Sequence, residues 1–314
     1  MKGEAHRRFE CFGGTATIHV CGANTAAGEK AADLARMRLL DAHRRLSRFS
    51  DKSELARLND DPRWEVPATT LMRALADAVG KAGSLSGGLV DATLLDRIER
   101  AGYRDSLDGE PSMSLRDALA SRPQRAPGAP RPDRLWRSIG VDENEETVIR
   151  PPGVKIDSGG IAKGLLADLL ADQLRQHRAY AVDCCGDIRV GGHAGLVRRV
   201  RVDDPFGEGP VHELKLRDGA VATSGIGRRC WVAPDGAAAH HILDPASGEP
   251  AFTGIVQATA LAPTALLAEV YAKAALLAGP KRADEWLPHG GVVVRDGGEV
   301  DVIAAEQLLT AVAV

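Results

Sequence analysis

The chain has 314 residues, 44% of them hydrophobic and 26% charged, an ordinary globular composition long enough for one large domain or two smaller ones. A formal net charge of -3 and an aromatic content of 4% argue against a basic nucleic-acid face and a base-stacking platform. No run reaches the roughly 18 apolar residues of a membrane span, the N-terminus has no apolar core of signal-peptide length, and the five cysteines form no CxxC pair. A protein of a reducing compartment, the cytoplasm, is expected.

The run TATIHV, inside a loosely alternating stretch over 9–20, predicts a strand, and residues 25–46 carry apolar side chains at helical spacing. The polar loop SRFSDKSELARLND leads into a short helical turn at Glu54–Asn59. A helix is predicted over 68–84, closed by the glycines of SGGLVDAT. Residues 106–134 are poor in order signals, and 121–134 reads as a flexible surface loop inside a single domain, 1–314. TVIRPPGVKID reads as a strand pair, 161–177 as an amphipathic helix, and YAVDCCGDIRVGG as a buried strand with a glycine turn. RRVRVDDP, HELKLRDGAVATSG and RCWVAPDG read as hairpin strands with Asp-Gly turns. APTALLAEVYAKAALLAG is a helix stopped by Gly279 before Pro280, and GGVVVRDGGEVDVIA is a terminal hairpin. The predicted fold class is α+β, with antiparallel or mixed sheets flanked by at least four helices.

Five short blocks set small residues beside an acid or a hydroxyl: GGLVDAT (87–93), IDSGGIAKG (156–164), CCGDIRVGG (184–192), VATSGIGRR (221–229) and HHILDPASGEP (240–250). Each alone reads more readily as a structural turn. In IDSGGIAKG the glycines would let backbone amides approach an anion and Lys163 would add a point charge; a tight strand-to-helix turn with a solvated lysine is the alternative. Together the blocks suggest a cleft for a nucleotide-like ligand, with hydroxyls and amides for phosphate oxygens and acids for a divalent cation or a ribose. His240 and His241 must point to opposite sides of an extended segment, so at most one faces the cleft. His241 is the candidate general acid–base, with a satisfied structural histidine as the alternative. Cys184 and Cys185 read as strand packing.

In order along the chain, GGTATI, LSRFSDKSELARLN, GGLVDAT, IDSGGIAKG, CGDIRVGG, VATSG, HHILDPASGEP and LLAEVYAKAALLAG resemble the blocks of the ApbE family, the FAD:protein FMN transferases. The resemblance runs from near the N-terminus to about Gly279. It implies the ApbE-like fold, with an FAD cleft between lobes, and transfer of the FMN half of FAD onto a Thr or Ser of a target flavoprotein with release of AMP. It also implies roles. Asp157 would hydrogen-bond the isoalloxazine, Lys163 would sit on the flavin or phosphate side and share catalysis with His241, and a carbonyl near Gly160 would help hold Mg²⁺. Asp91, Ala92 and Thr93 would line the FAD site, with Phe49 as an aromatic wall. Asp187, Thr223 and Ser224 would complete the pocket, and Ile242 would pack on the flavin. The implied partners are FAD and an acceptor flavoprotein, without nucleic acid or membrane insertion. The chemistry suits these residue types: a metal on the pyrophosphate neutralises charge as the P–O–P bond breaks, and a base takes the acceptor's proton.

One block departs from the family. Its last helix usually reads ADALAT, whose Asp and Thr share a helix face and ligate Mg²⁺. Here AEVYAK puts Glu269 and Lys273 at those positions with the spacing kept. A glutamate reaches one methylene further; a protonated lysine cannot ligate a metal. Four readings stand. Glu269 still holds Mg²⁺ while Lys273 grips phosphate; the Lys273 ammonium replaces the metal; the chain binds FAD, or hydrolyses it slowly, without transfer; or the two residues form an ordinary surface pair worth about 0.3–0.5 kcal/mol.

Overall fold

The computed structural model describes residues 3–104, 113–233 and 235–305, so residues 106–112 of the order-poor stretch lie outside the described residues. In chain order the first elements are β1 (Glu4–Cys11), β2 (Gly14–Cys21), α1 (Thr25–Leu46), α2 (Glu54–Asp60), β3 (Glu65–Pro67), α3 (Thr70–Leu85), α4 (Leu95–Arg100) and α5 (Leu115–Ala120). Then come β4 (Gly140–Asp142), β5 (Thr147–Ile149), α6 (Ala162–Leu174), β6 (Ala179–Cys184), β7 (Asp187–Gly191), β8 (Arg198–Asp203) and β9 (Pro210–Leu216). The last are β10 (Gly219–Gly225), β11 (Cys230–Val232), β12 (Ala238–His240), β13 (Ile255–Ala262), α7 (Ala265–Ala278), β14 (Gly291–Arg295) and β15 (Val300–Ile303).

One eight-stranded sheet, in the order β1-β2-β6-β7-β10-β13-β14-β15, organises the molecule, and every neighbouring pair in it is antiparallel. Period-two alternation gives it two different faces. Ala220 and Ala222 of β10, with Ala258 and Ala260 of β13, belong to the large core shared with α1, α6 and α7. Val221, Val190 and Val292 face the other way, under Val202, Leu214 and Leu216 of the β8–β9 hairpin. These layers make the fold α+β, as the sequence indicates.

Local chemistry explains where the elements begin and end. The β1–β2 hairpin closes on Phe12 and Gly13 with φ of 49° and 68°, the backbone of a two-residue type I′ turn. The sequence predicts a single strand across 9–20, because an aromatic residue seldom signals positive φ. Only Thr147–Ile149 of TVIRPPGVKID is a strand, packed in a small sheet between β3 and β4. Pro151 and Pro152 cannot donate to a second ladder, and the turn is instead filled by the fully buried Arg150, which donates to the carbonyls of Leu58, Asp61 and Val154. Helix α6 ends at Leu174 rather than 177, and α4 and α5 are additions to the sequence reading. Residues 122–134 lack helix and strand, as expected, but are pinned rather than free. The amides of Ala126 and Gly128 donate to the carbonyls of Phe252 and Leu277, that of Ala129 donates to the Asp244 carboxylate, and Arg125 pairs with Asp296 at 2.7 Å.

Helix α7 is apolar almost all round, which suits a helix covered on every side. Its N-terminus is capped from α6: the Asp168 carboxylate accepts the amides of Ala265 and Leu266 at 2.8 and 2.9 Å. Gly164 lets the two helices close in, since a Cβ there would lie 2.6 Å from the Ala265 carbonyl oxygen. The Gly164→Ala variant must therefore push α7 away and should lose about 1–3 kcal/mol of stability in urea unfolding. Gly80 of α3 has open space around its Cβ position. Gly80→Ala should gain about 0.5–1 kcal/mol in the same measurement.

Candidate active site

The loop before α6 is held from both sides. The Asn59 side chain, on α2, accepts the Ile156 amide at 2.8 Å and donates to its carbonyl at 2.9 Å, and the Ser158 hydroxyl donates to the Leu46 carbonyl at 2.9 Å. So anchored, IDSGG delivers Lys163 to the first turn of α6, beneath the start of β7. There Lys163 makes a short ion pair with Asp187 and lies 3.6 Å from Glu269. Asp187 is 1% exposed and Glu269 2%. Glu269 also accepts the Gly164 amide at 2.9 Å. Burial opposes the charge on Lys163, but Asp187 and Glu269 overcome it and raise its pKa. Burial also raises the Asp187 carboxyl above its ordinary range, against the pull of Lys163.

One helical turn beyond Glu269, Lys273 donates to the Gly160 carbonyl and stands 4.0 Å from the Glu269 carboxylate. Burial and Lys163 lower its pKa, against Glu269, Asp187 and Asp157. This resolves one of the sequence alternatives: Glu269 and Lys273 are not a surface pair, because Glu269 is buried and Lys273, only 16% exposed, is held against the loop before α6.

The HHILDP block approaches the same cluster. His240 is fully buried, packs edge-on against Phe252 at 4.7 Å and accepts the Ile242 amide at 3.3 Å; burial pushes its pKa down to about 3. His241 faces the other way, partly exposed, as the alternation requires. Burial first, then Arg229, His240, Lys273 and Lys163, hold its pKa well below 6.5, and its Nδ1 finds no protein partner. The result is a neutral imidazole beside cations. Ile242 is buried in the main core at 4% exposure.

The GGLVDAT turn is tied to this loop through the Ala92 carbonyl, which accepts the Asp157 amide at 2.8 Å. Asp91 folds back on its own segment, accepting the Thr93 amide at 2.8 Å and its hydroxyl at 2.6 Å, while its second oxygen is buried without a partner. Burial raises the Asp91 pKa against those two bonds.

Arg48, which the sequence reading passes over, completes this side. Its guanidinium lies 4.3 Å from the ring centroids of both Phe49 and Tyr103, with its Nε 3.7 Å from Asp157. The side chain is 6% exposed, yet neither terminal nitrogen has a protein partner, and one Asp157 oxygen is also unpartnered. Phe49 itself is exposed. An arginine beside a phenylalanine in a polar loop gives little signal in sequence; Tyr103, which closes the clamp, is distant in the chain.

Thr223 and Ser224 part company. Ser224 shares the face of Ala222 that α7 covers, whereas Thr223 pairs with Thr259 across β10 and β13, hydroxyl to hydroxyl at 2.9 Å, on the face of Val221. Hydrogen bonds and ion pairs thus join Lys163, Asp187, Glu269, Lys273 and Gly160 in one cluster, whose charges act on His241 and on which Asp157 acts in turn. The Asp91–Thr93 turn is tied to Asp157 through Ala92, and Phe49 stacks on Arg48. Ser224 lies on the sheet face toward α7, Ile242 in the main core, and Thr223 on the opposite face of the sheet.

Comparisons with known proteins point to one family. The family model of the ApbE family covers residues 12–294. A curated FAD:protein FMN transferase of Haemophilus influenzae is 26% identical over 280 residues, spanning 84% of this chain and 77% of that protein. One of Treponema pallidum is 31% identical over 163 residues, 48% of this chain and 45% of that protein, so that alignment reaches less than half of the relative's length. The crystal structure of an ApbE protein from Thermotoga maritima superposes with a TM-score of 0.76 at 25% identity, covering 96% of this chain and 97% of that one. The chain belongs to the ApbE family.

Proposed function

We propose that this chain is an FAD:protein FMN transferase, which moves the FMN half of FAD onto a Thr or Ser of an acceptor flavoprotein and releases AMP. The observation that carries the reading is the junction of Lys163, Asp187, Glu269 and Lys273 with an unprotonated His241 at the mouth of α6. The activity for which the curated relatives are named supports it.

In this reading Arg48, Phe49 and Asp157 orient the flavin, and the lysines face the diphosphate. His241 takes the proton of the acceptor hydroxyl. The hydroxyl oxygen bonds to the FMN-side phosphorus, the bond from that phosphorus to the bridging oxygen breaks, and the oxygen leaves with AMP. Fixed positive charge close to the phosphoryl group stabilises the transition state.

Mg²⁺ fits the donor set poorly. The Gly160 carbonyl is taken by Lys273, one Glu269 oxygen by the Gly164 amide, and the other faces both lysines. No step is therefore routed through a metal. The five cysteines are unpaired, and among the described residues no helix is long and apolar enough to cross a membrane. Both support a place in the cytoplasm.

Incubation with FAD and a Thr-bearing acceptor should release AMP in step with flavin attached to the acceptor; flavin binding without either product would refute transfer. His241→Ala should lower the rate by about 10²–10⁴-fold while FAD affinity stays. Because the His241 pKa lies below 6.5, its base form persists as pH falls. In a pH profile, kcat/KM should hold through 6.5 and drop only in more acid solution; an acid limb at or above 6.5 assigns the base elsewhere. Lys163→Met strands Asp187 without its partner and should cost about 3–5 kcal/mol of stability. Adding Asp187→Leu should restore stability in urea unfolding but not AMP release.

A further inference from the structure

We propose that the Lys273 ammonium is a built-in replacement for the divalent cation, so that this chain binds FAD and transfers FMN without Mg²⁺. The proposal rests on the transferase reading above. Lys273 reaches the two groups the family resemblance assigns to the metal, the Gly160 carbonyl and the carboxylate at position 269. It is not a surface side chain that merely swings past: it is 16% exposed, and a Cβ on Gly160 would come within 2.9 Å of its Nζ.

Charge counting agrees. Lys163, Lys273 and Arg48 stand against Asp187, Glu269 and Asp157, three cations against three carboxylates. A threonine at 273 would leave an excess negative charge, a setting that attracts a dication. With Lys273 present the cluster is already balanced, and a dication would have to displace the ammonium from the Gly160 carbonyl. A protonated lysine offers donors and no lone pair, so it cannot share a metal. It can meet a phosphate oxygen as a point charge, as lysines do in other phosphate sites. The ammonium supplies one positive charge where a metal supplies two.

The test uses the full chain, treated with EDTA or supplied with Mg²⁺, with FAD and a Thr-bearing acceptor. Four quantities are read: AMP, flavin on the acceptor, FAD binding by quenching of flavin fluorescence, and Mn²⁺ binding by electron paramagnetic resonance. The natural chain should transfer at rates within about twofold in EDTA and Mg²⁺ and bind no stoichiometric Mn²⁺. Lys273→Thr should fall about 10²-fold in EDTA, recover with Mg²⁺ and gain an Mn²⁺ site. If EDTA abolishes transfer by the natural chain while FAD still binds, or if that chain binds Mn²⁺ one to one, the replacement idea is overturned and the transferase reading survives. If neither AMP nor bound FAD appears under either condition, the transferase reading itself fails. Should Lys273→Thr not fold by circular dichroism, the EDTA comparison and Mn²⁺ titration of the natural chain decide alone.

Discussion

Glu269, at 2% exposure, is a carboxylate placed inside a helix whose only other charged side chain is Lys273. Burying such a group without partners would cost several kcal/mol. The surrounding structure meets that demand. Gly164 brings α6 close enough for its amide to reach the carboxylate, Lys163 arrives from the same turn, and Lys273 arrives from one turn further along α7. Asp168 then locks the N-terminus of α7 to α6. The loop 156–161, β7 and the HHILDP segment take their positions around this contact, so the groups that make the interior possible are also those offered to the ligand.

The sheet supplies what the helices cannot, a flat support with fixed register. Antiparallel pairing of β6, β7, β10 and β13 sets Asp187 at the head of β7 and presents Ser224 toward α7. A one-residue slip would invert both. The β8–β9 hairpin on the opposite face buries the alternate set of residues, which anchors that register.

Much of this was legible in the sequence, for physical reasons that differ by element. Helix α1 declared itself through apolar spacing, and α7 through its run of alanines and leucines stopped by Gly279, whose φ is 77°. The acid-and-glycine blocks IDSGGIAKG and CCGDIRVGG do meet in the fold, where Lys163 pairs with Asp187. The Phe12 turn was hidden, since left-handed backbone at an aromatic residue depends on the strands it joins. Arg48 was hidden because its partners, Tyr103 and Asp157, meet only in three dimensions. Thr223 was readable and misread: two neighbours on a strand cannot both face one cleft.

The clamp on Arg48 carries a further consequence. Aromatic faces hold the guanidinium by its flat sides and leave its edge, where the hydrogen-bond donors lie, unanswered. Buried donors are costly to leave without acceptors, so this edge favours a partner that brings them. A ligand that brings acceptors to that edge would find it only in the folded chain, so its binding and folding stability would be thermodynamically linked.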